Sequence, residues 1–245
     1  MEAVGAGVTQ FRKGDAVFGV ARGTCAEYVC ASQSHVVAKP ANVSFEQAAA
    51  VPVAGLSALQ SLRDKGHVRA GDKVLINGAA GGVGTFAVQI AKSLGADVTG
   101  VCSTRNVEIV RSIGANHVID YTRDDFTKGE ARYDVIIDCV GNHSFFEKKR
   151  VVTPRGVVVM VGGPARLSSI LRALFGIFAL SLFTSRRFAR FLAKVTKEDL
   201  TLLAELLRTG KVTPVLDTPY RLSEVVNALR HLDDGHARGK IVVSV

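Results

Sequence analysis

The sequence has no Trp, only 6 Pro and only 4 Cys in 245 residues, and 7% of it is aromatic. Cys25, Cys30, Cys102 and Cys139 form no Cys-x-x-Cys pair, and the six His are scattered. No zinc-type ligand spacing is therefore present. A disulfide scaffold would be shorter and denser in Cys. The four thiols read as buried and reduced, as in a cytosolic protein. Long apolar runs are also missing. Ile170–Phe183 comes nearest, but Arg172, Gly176 and Ser181 interrupt it, and it falls short of the roughly 20 residues a spanning helix needs. Met1–Gly5 has no basic region followed by an apolar stretch, so no secretory signal is expected there. At 47% apolar, and with 24 Gly in no strict period, the chain is neither disordered nor collagen-like. Its length suits one large or two small domains with a sizeable core.

The rhythm changes near residue 44. Before it lie short β-like pieces at Gly14–Gly19, Ala26–Cys30 and His35–Ala38, punctuated by Gly and closed by Pro40. Ser44-Phe45-Glu46-Gln47 then reads as a capping box opening a helix that Pro52 disturbs. From Lys73 strands and helices alternate. Lys73–Ala79 is a short buried strand, and Val83, Phe86, Ala87, Ile90, Ala91 and Leu94 mark one helical face. Strands are expected at Asp97–Ser103, His117–Tyr121, Asp134–Val140 and Gly156–Val161, with a helix through Val107, Val110 and Ile113. Apolar strands alternating with helices argue a parallel sheet covered on both faces. Two late helices start at Thr196 and Ser223, and Lys240–Val245 is a last strand.

The turn after the first of these parallel strands reads Asn77-Gly78-Ala79-Ala80-Gly81-Gly82-Val83-Gly84. It matches a dinucleotide fingerprint with Ala79 in the first Gly position. A Gly without Cβ lets the backbone approach a pyrophosphate, and the helix N-terminus behind it offers free N–H groups and a positive dipole end. The last Gly lets helix and strand pack closely. The turn follows a strand and opens an amphipathic helix, the context that gives such a motif its weight.

The next strand tests the cofactor. An acidic residue about 20 positions after the turn would bind the ribose hydroxyls of NAD. Here the strand ends Val101-Cys102-Ser103-Thr104-Arg105-Asn106, with no carboxylate until Glu108. Two hydroxyls and an Arg suit a 2′-phosphate. NADPH is therefore expected rather than NADH.

Asn77–Lys92, Asp134–Gly141 and Gly235–Val243 together resemble the zinc-independent medium-chain dehydrogenase/reductase superfamily, in its quinone oxidoreductase-like and NAD(P)-dependent alcohol dehydrogenase-like branch. The resemblance runs over essentially the whole chain. It implies an α/β fold, with a doubly wound Rossmann sheet and a partial GroES-like β-barrel domain. The expected division is a partial catalytic domain over 1–44, a coenzyme domain over 45–212 and a return to the catalytic domain over 213–245. It further implies that Gly81, Gly82 and Val83 cradle the pyrophosphate through backbone N–H. Ser103 and Arg105 would hold the 2′-phosphate with Tyr121 beside it. Val140 and Gly141 would line the adenosine side. Gly162 and Gly163 would run past the nicotinamide, and Ser57 would lie near that end. Tyr121 and Val140 also fit ordinary strand-end positions, and Gly162-Gly163 also fits a plain loop.

Met1–Gly19 resembles the middle of the family's catalytic domain, so the chain reads as N-terminally truncated, with several barrel strands and a substrate-orienting Asn-Pro stretch not in it. The family transfers hydride from nicotinamide to an activated C=C or C=O of a quinone, enone or aldehyde. Without zinc, hydrogen bonds must polarise the carbonyl. No Ser/His/Asp set or carboxylate pair stands out, so no catalytic residue is assigned.

The formal charge of +9 is local. No acidic residue lies between Glu147 and Glu198, and that stretch holds 11 of the 31 Lys and Arg. The remainder carries 20 basic against 22 acidic residues. Phe188, Phe191, Leu192 and Val195 recur among Arg186, Arg187, Arg190 and Lys194 at a spacing that predicts an amphipathic basic helix. Three uses compete for segment 166–195: packing on the coenzyme domain, capping the substrate cleft or forming a homodimer contact with its charges solvated; peripheral contact with an anionic membrane; and nucleic acid. The last ranks lowest, because no nucleic-acid motif or aromatic stacking platform accompanies the charge. Two functions remain open. One is a cytoplasmic NADPH-dependent reductase. The other is a dinucleotide-binding module without turnover, acting as a sensor or interaction protein.

Overall fold

The structure is a computed structural model and describes residues 1–162, 187–235 and 237–245. In chain order the elements are β1 (Val17–Gly19), β2 (Val36–Ala38), α1 (Phe45–Ala50), α2 (Pro52–Gln60), β3 (Lys73–Asn77), α3 (Gly82–Ser93), β4 (Asp97–Cys102), α4 (Val107–Ser112), β5 (His117–Asp120), β6 (Tyr133–Asp138), α5 (Phe145–Val151), β7 (Val152–Val161), β8 (Arg187–Phe191), α6 (Lys197–Arg208), β9 (Leu216–Arg221), α7 (Val225–Asp233) and β10 (Lys240–Ser244). They form two compact units, one of Met1–Leu56 with Ala193–Val245, the other of Ser57–Leu192.

The second unit is built on one parallel sheet in the order β5-β4-β3-β6-β7-β8. Consecutive side chains of a strand point to opposite faces. Val74, Leu75 and Ile76 are all 0% exposed, so both faces of the sheet are covered, as the apolar runs predict. Strand order reverses between β3 and β6, which makes the carboxyl ends of these strands the switch point where such sheets take ligands. Buried Phe86, Ala87, Ile90 and Ala91 define the inner face of α3 at helical spacing.

The predicted helix through Phe188 and Leu192 is instead the strand β8, paired parallel to β7 in the register Val158↔Phe188. The apolar spacing suits a helix, since Phe188 and Phe191, three apart, fall on opposite faces of a strand. The free edge of β7 decides, because it supplies a full row of backbone partners. Phe188 packs on the core beside Phe145, with ring centroids 3.9 Å apart, while Leu192 is 90% exposed. The rest of the basic segment, 163–186, lies outside the described residues.

In the first unit β1 and β2 pair antiparallel, with Phe18 opposite Val37, and β9 and β10 pair parallel. The expected piece Ala26–Cys30 forms no strand. Tyr28 is 74% exposed, so this piece has neither ladder partners nor burial to offset the entropy of ordering. The capping box is present: Ser44 Oγ accepts from Gln47 N, and Gln47 Oε1 accepts from Ser44 N. Helix α1 stops at Val51 and α2 begins at Pro52, where a proline is tolerated in a first turn. The boundaries at 56/57 and 192/193 differ from the expected 44/45 and 212/213. Helix α1 packs on β1 and β10, and α6 packs on β2 while burying Leu200, Leu203 and Leu207. Both helices therefore belong with the first unit.

Candidate cofactor site

The turn Gly78–Gly81 links β3 to α3. Gly78 N and Ala79 N both donate to Val101 O of β4, at 3.2 and 2.9 Å, which pins the turn to the neighbouring strand. Gly84 has to be glycine for packing. A Cβ there would lie 2.0 Å from Gly78 O and 2.8 Å from Ala79 Cα. Gly81 is different. Its added Cβ would meet only Gly78 O, at 3.4 Å, so its missing side chain leaves open space in front of the helix. The first bond of α3 runs from Thr85 N to Gly81 O. The N–H groups of Gly82, Val83 and Gly84 thus have no partner within the helix. Gly81 N, expected to join the cradle, donates to Gly78 O at 3.0 Å. The N–H groups of Gly82 and Val83 stand at the positive end of a 12-residue helix, where an anion would be favoured.

The β4 edge holds the second group of residues. Ser103 leads into a short turn, Thr104–Asn106. Asn106 Nδ2 donates to Ser103 Oγ at 3.2 Å, which leaves the serine hydroxyl proton to donate elsewhere. Asn106 is buried and its Oδ1 has no partner. Arg105 is exposed. The hydroxyl of Thr104, the second one the sequence offers at this edge, is bonded within the chain. It donates to Asp120 Oδ2 at 2.5 Å and lies 2.9 Å from Thr122 Oγ1. Asp120, the last residue of β5, also accepts from Thr122 N and Thr122 Oγ1, at 3.0 and 2.8 Å. The Thr104 hydroxyl, ahead of the Thr122 bonds and the Arg123 charge, holds the Asp120 carboxyl below the usual range. Sequence reasoning missed this carboxylate because it looked along one strand. Asp120 arrives from the next strand, through the pairing of Cys102 with Asp120. Tyr121 follows it, 61% exposed, with its N–H donated to Cys102 O.

The third group sits at the end of β6. Asp138 and Lys148 form an ion pair at 2.6 Å, with side chains 0% and 4% exposed. Asp138 Oδ1 accepts from Asn77 Nδ2, Val140 N and Gly141 N, at 2.9, 3.1 and 2.9 Å. Asn77 Nδ2 also donates to Asn142 Oδ1 at 2.9 Å. Burial pushes the Asp138 carboxyl up, but the Lys148 ammonium and the two N–H donors outweigh it and hold the carboxyl below its ordinary value. One buried carboxylate thus ties β3 to the Val140–Gly141 turn and fixes the backbone expected to face adenosine. Neither Asp138 nor Lys148 carried a motif, since they meet only when β6 and α5 fold together.

Gly162 is exposed at the end of β7, Gly163 lies outside the described residues, and Ser57 lies in α2. Ser103, Arg105 and Tyr121 are brought to the adjoining ends of β4 and β5, and Gly82, Val83, Val140 and Gly141 to the ends of β3 and β6. The thiols divide. Cys25 and Cys30 are exposed, against the expectation of burial. Burial, with Asp120 adding to it, pushes Cys102 up to about 11, and burial, with Asp138 adding to it, pushes Cys139 up to about 12. Neither is a thiolate at neutral pH, so neither is a nucleophile. Among the described residues no three His, Cys, Asp or Glu are grouped as metal ligands would be.

Comparison with known proteins adds to this geometry. A family model described as zinc-binding dehydrogenase matches residues 113–243. The chloroplast envelope quinone oxidoreductase homolog of Arabidopsis thaliana is 34% identical, over 98% of this chain and 75% of that protein. The 2-methylene-furan-3-one reductase of Solanum lycopersicum is 33% identical, over 98% of this chain and 60% of that protein. The solved quinone oxidoreductase from Coxiella burnetii superposes with a TM-score of 0.86 at 34% identity, covering 99% of this chain and 75% of that one.

Proposed function

Since the chain belongs to the medium-chain dehydrogenase/reductase superfamily, in its quinone oxidoreductase-like and alcohol dehydrogenase-like branch, and is an oxidoreductase, we propose that it is an NADPH-dependent, zinc-independent reductase of quinones, enones or aldehydes. The observation that carries the reading is the switch-point turn, where Gly81 lacks a Cβ in open space and Gly82 and Val83 have N–H groups to offer. A dinucleotide fits there. The cofactor supplies a hydride when bound.

The chain's own residues bind and orient. Gly82 and Val83 take the pyrophosphate. The Ser103 hydroxyl and the Arg105 guanidinium take the 2′-phosphate beside Tyr121. Val140 and Gly141, held by Asp138, support the adenosine side, and Gly162, Gly163 and Ser57 serve the nicotinamide end. The substrate oxygen is polarised by hydrogen bonds. Quinone and enone substrates are supported by the names of the Arabidopsis and tomato relatives. Four unpaired thiols fit a reducing, cytoplasmic setting. No helix among the described residues is long and apolar enough to cross a membrane. For segment 166–195 we favour a packing or homodimer role over membrane contact. Salt-sensitive sedimentation with anionic vesicles would overturn that preference.

A panel of quinones, enones and aldehydes offered with NADPH tests the function. The expected result is one NADPH oxidised per substrate reduced. Binding of NADPH with no turnover on any member would favour the non-catalytic module instead.

A further inference from the structure

Asp120 is a carboxylate that nothing in the chain's own β4 edge announces. Its side chain is 12% exposed. Both of its oxygens are engaged, by Thr104, by the N–H and hydroxyl of Thr122, and at 3.8 Å by Arg123. These bonds fix the carboxylate rather than neutralise it, because all three hydrogen-bond donors are uncharged and the Arg123 guanidinium stands off at 3.8 Å. Thr104 stands between Ser103 and Arg105, so the charge is anchored one hydroxyl away from the pair that would receive a 2′-substituent. We infer that Asp120 sets the cofactor preference of this site, its fixed charge opposing a 2′-phosphate and narrowing the advantage that Ser103 and Arg105 give NADPH over NADH.

This inference rests on the cofactor reading above. It differs from the usual acidic determinant, which follows the second strand and hydrogen-bonds the ribose hydroxyls directly. Asp120 lies on the third strand of the parallel set, and three hydrogen bonds from Thr104 and Thr122 hold its carboxylate. Its influence is therefore electrostatic. It bears on the cofactor with a near-divalent phosphate and leaves the cofactor with a hydroxyl almost untouched.

The test compares dissociation constants of NADPH and NADH for the wild-type chain, Asp120→Asn and Thr122→Val, measured calorimetrically at low and high salt. Asn can keep the hydrogen bonds, since its oxygen still accepts from Thr122 and its amide can donate to Thr104 Oγ1. Asp120→Asn should tighten NADPH about three- to tenfold while leaving NADH within about twofold, as expected for one unit charge acting through a water-like medium. The gain should shrink as salt rises. Thr122→Val loosens the clamp but keeps the charge, so it should not tighten NADPH. Parallel weakening of both cofactors by Asp120→Asn would make the residue a structural clamp and overturn the inference. Weakening of NADH alone would make it a ribose ligand and overturn it equally. Failure of the wild-type chain to bind either cofactor would sink the cofactor reading itself, a result distinct from normal binding with no shift in preference.

Discussion

Gly84→Ala and Gly81→Ala separate folding from ligand binding within one turn. In Gly84→Ala the new methyl would lie 2.0 Å from Gly78 O and 2.8 Å from Ala79 Cα. Both neighbours are backbone atoms that cannot rotate away, and Gly78 and Ala79 are tied to Val101 O. The helix must therefore lift from the strand. Overpacking of this kind costs about 2–3 kcal/mol, roughly 5–10 °C in Tm for a chain of this size. In Gly81→Ala the methyl meets one atom, at 3.4 Å, and the backbone at φ −82°, ψ 176° suits alanine. Stability should fall by about 1 kcal/mol or less, from the poorer N-cap. The methyl stands in the open space assigned to the pyrophosphate, so NADPH affinity should drop about 10- to 100-fold. Thermal melting with and without NADPH reads both effects, because bound ligand raises Tm by mass action. A Gly84→Ala chain that melts like the wild type would refute the packing argument. A Gly81→Ala chain with unchanged NADPH affinity would refute the placement of the phosphates.

Further outcomes follow from the buried groups. Lys148→Met removes the counter-charge of Asp138 at 0% exposure, a loss of about 3–5 kcal/mol at pH 7. In the wild type the depressed Asp138 contributes fully above the unfolded value of about 3.9, and that stability is lost as pH falls through its lower folded value. Without Lys148, burial dominates and raises the carboxyl. The stability gap between the two chains should therefore narrow from pH 7 to about pH 4.5 in urea titrations, and an equal gap at both would contradict the ion-pair account. Alkylation at pH 8, read by mass, should modify Cys25 and Cys30 in the native chain and spare Cys102 and Cys139 until denaturant is added. Phe188→Ala should cost about 2–3 kcal/mol through lost packing on Phe145 and the core, while Leu192→Ala should stay within about 0.5 kcal/mol. Equal losses would restore the helical assignment of that segment.

Legibility in the sequence tracked how local the determining contacts are. The α3 face, the glycine turn and the Ser44–Gln47 box are each specified within a few residues, and each was readable. The inner strands β3, β4, β6 and β7 were readable as apolar runs, because a doubly covered sheet needs no polar alternation. Three features depend on chain segments meeting across the fold, and none was readable. Strand β8 forms because β7 offers an open edge, so spacing that suited a helix was overridden. Asp120 reaches Thr104 only through the β4–β5 register. Asp138 and Lys148 find each other only once α5 packs against β7 and the Phe126–Lys128 turn beside the end of β6. In the glycine turn itself, the loss of Gly81 N to Gly78 O depends on exact turn geometry that the motif does not encode. The candidate site was thus visible as a set of positions, while the carboxylates that shape it were not.

Direct titration of the purified chain with NADPH and NADH tests the central claim most simply. Saturable binding of NADPH at one site per chain, tighter than NADH, is the expected result. No saturable binding of either, or NADH binding much more tightly than NADPH, would contradict the assignment of Gly82, Val83, Ser103 and Arg105.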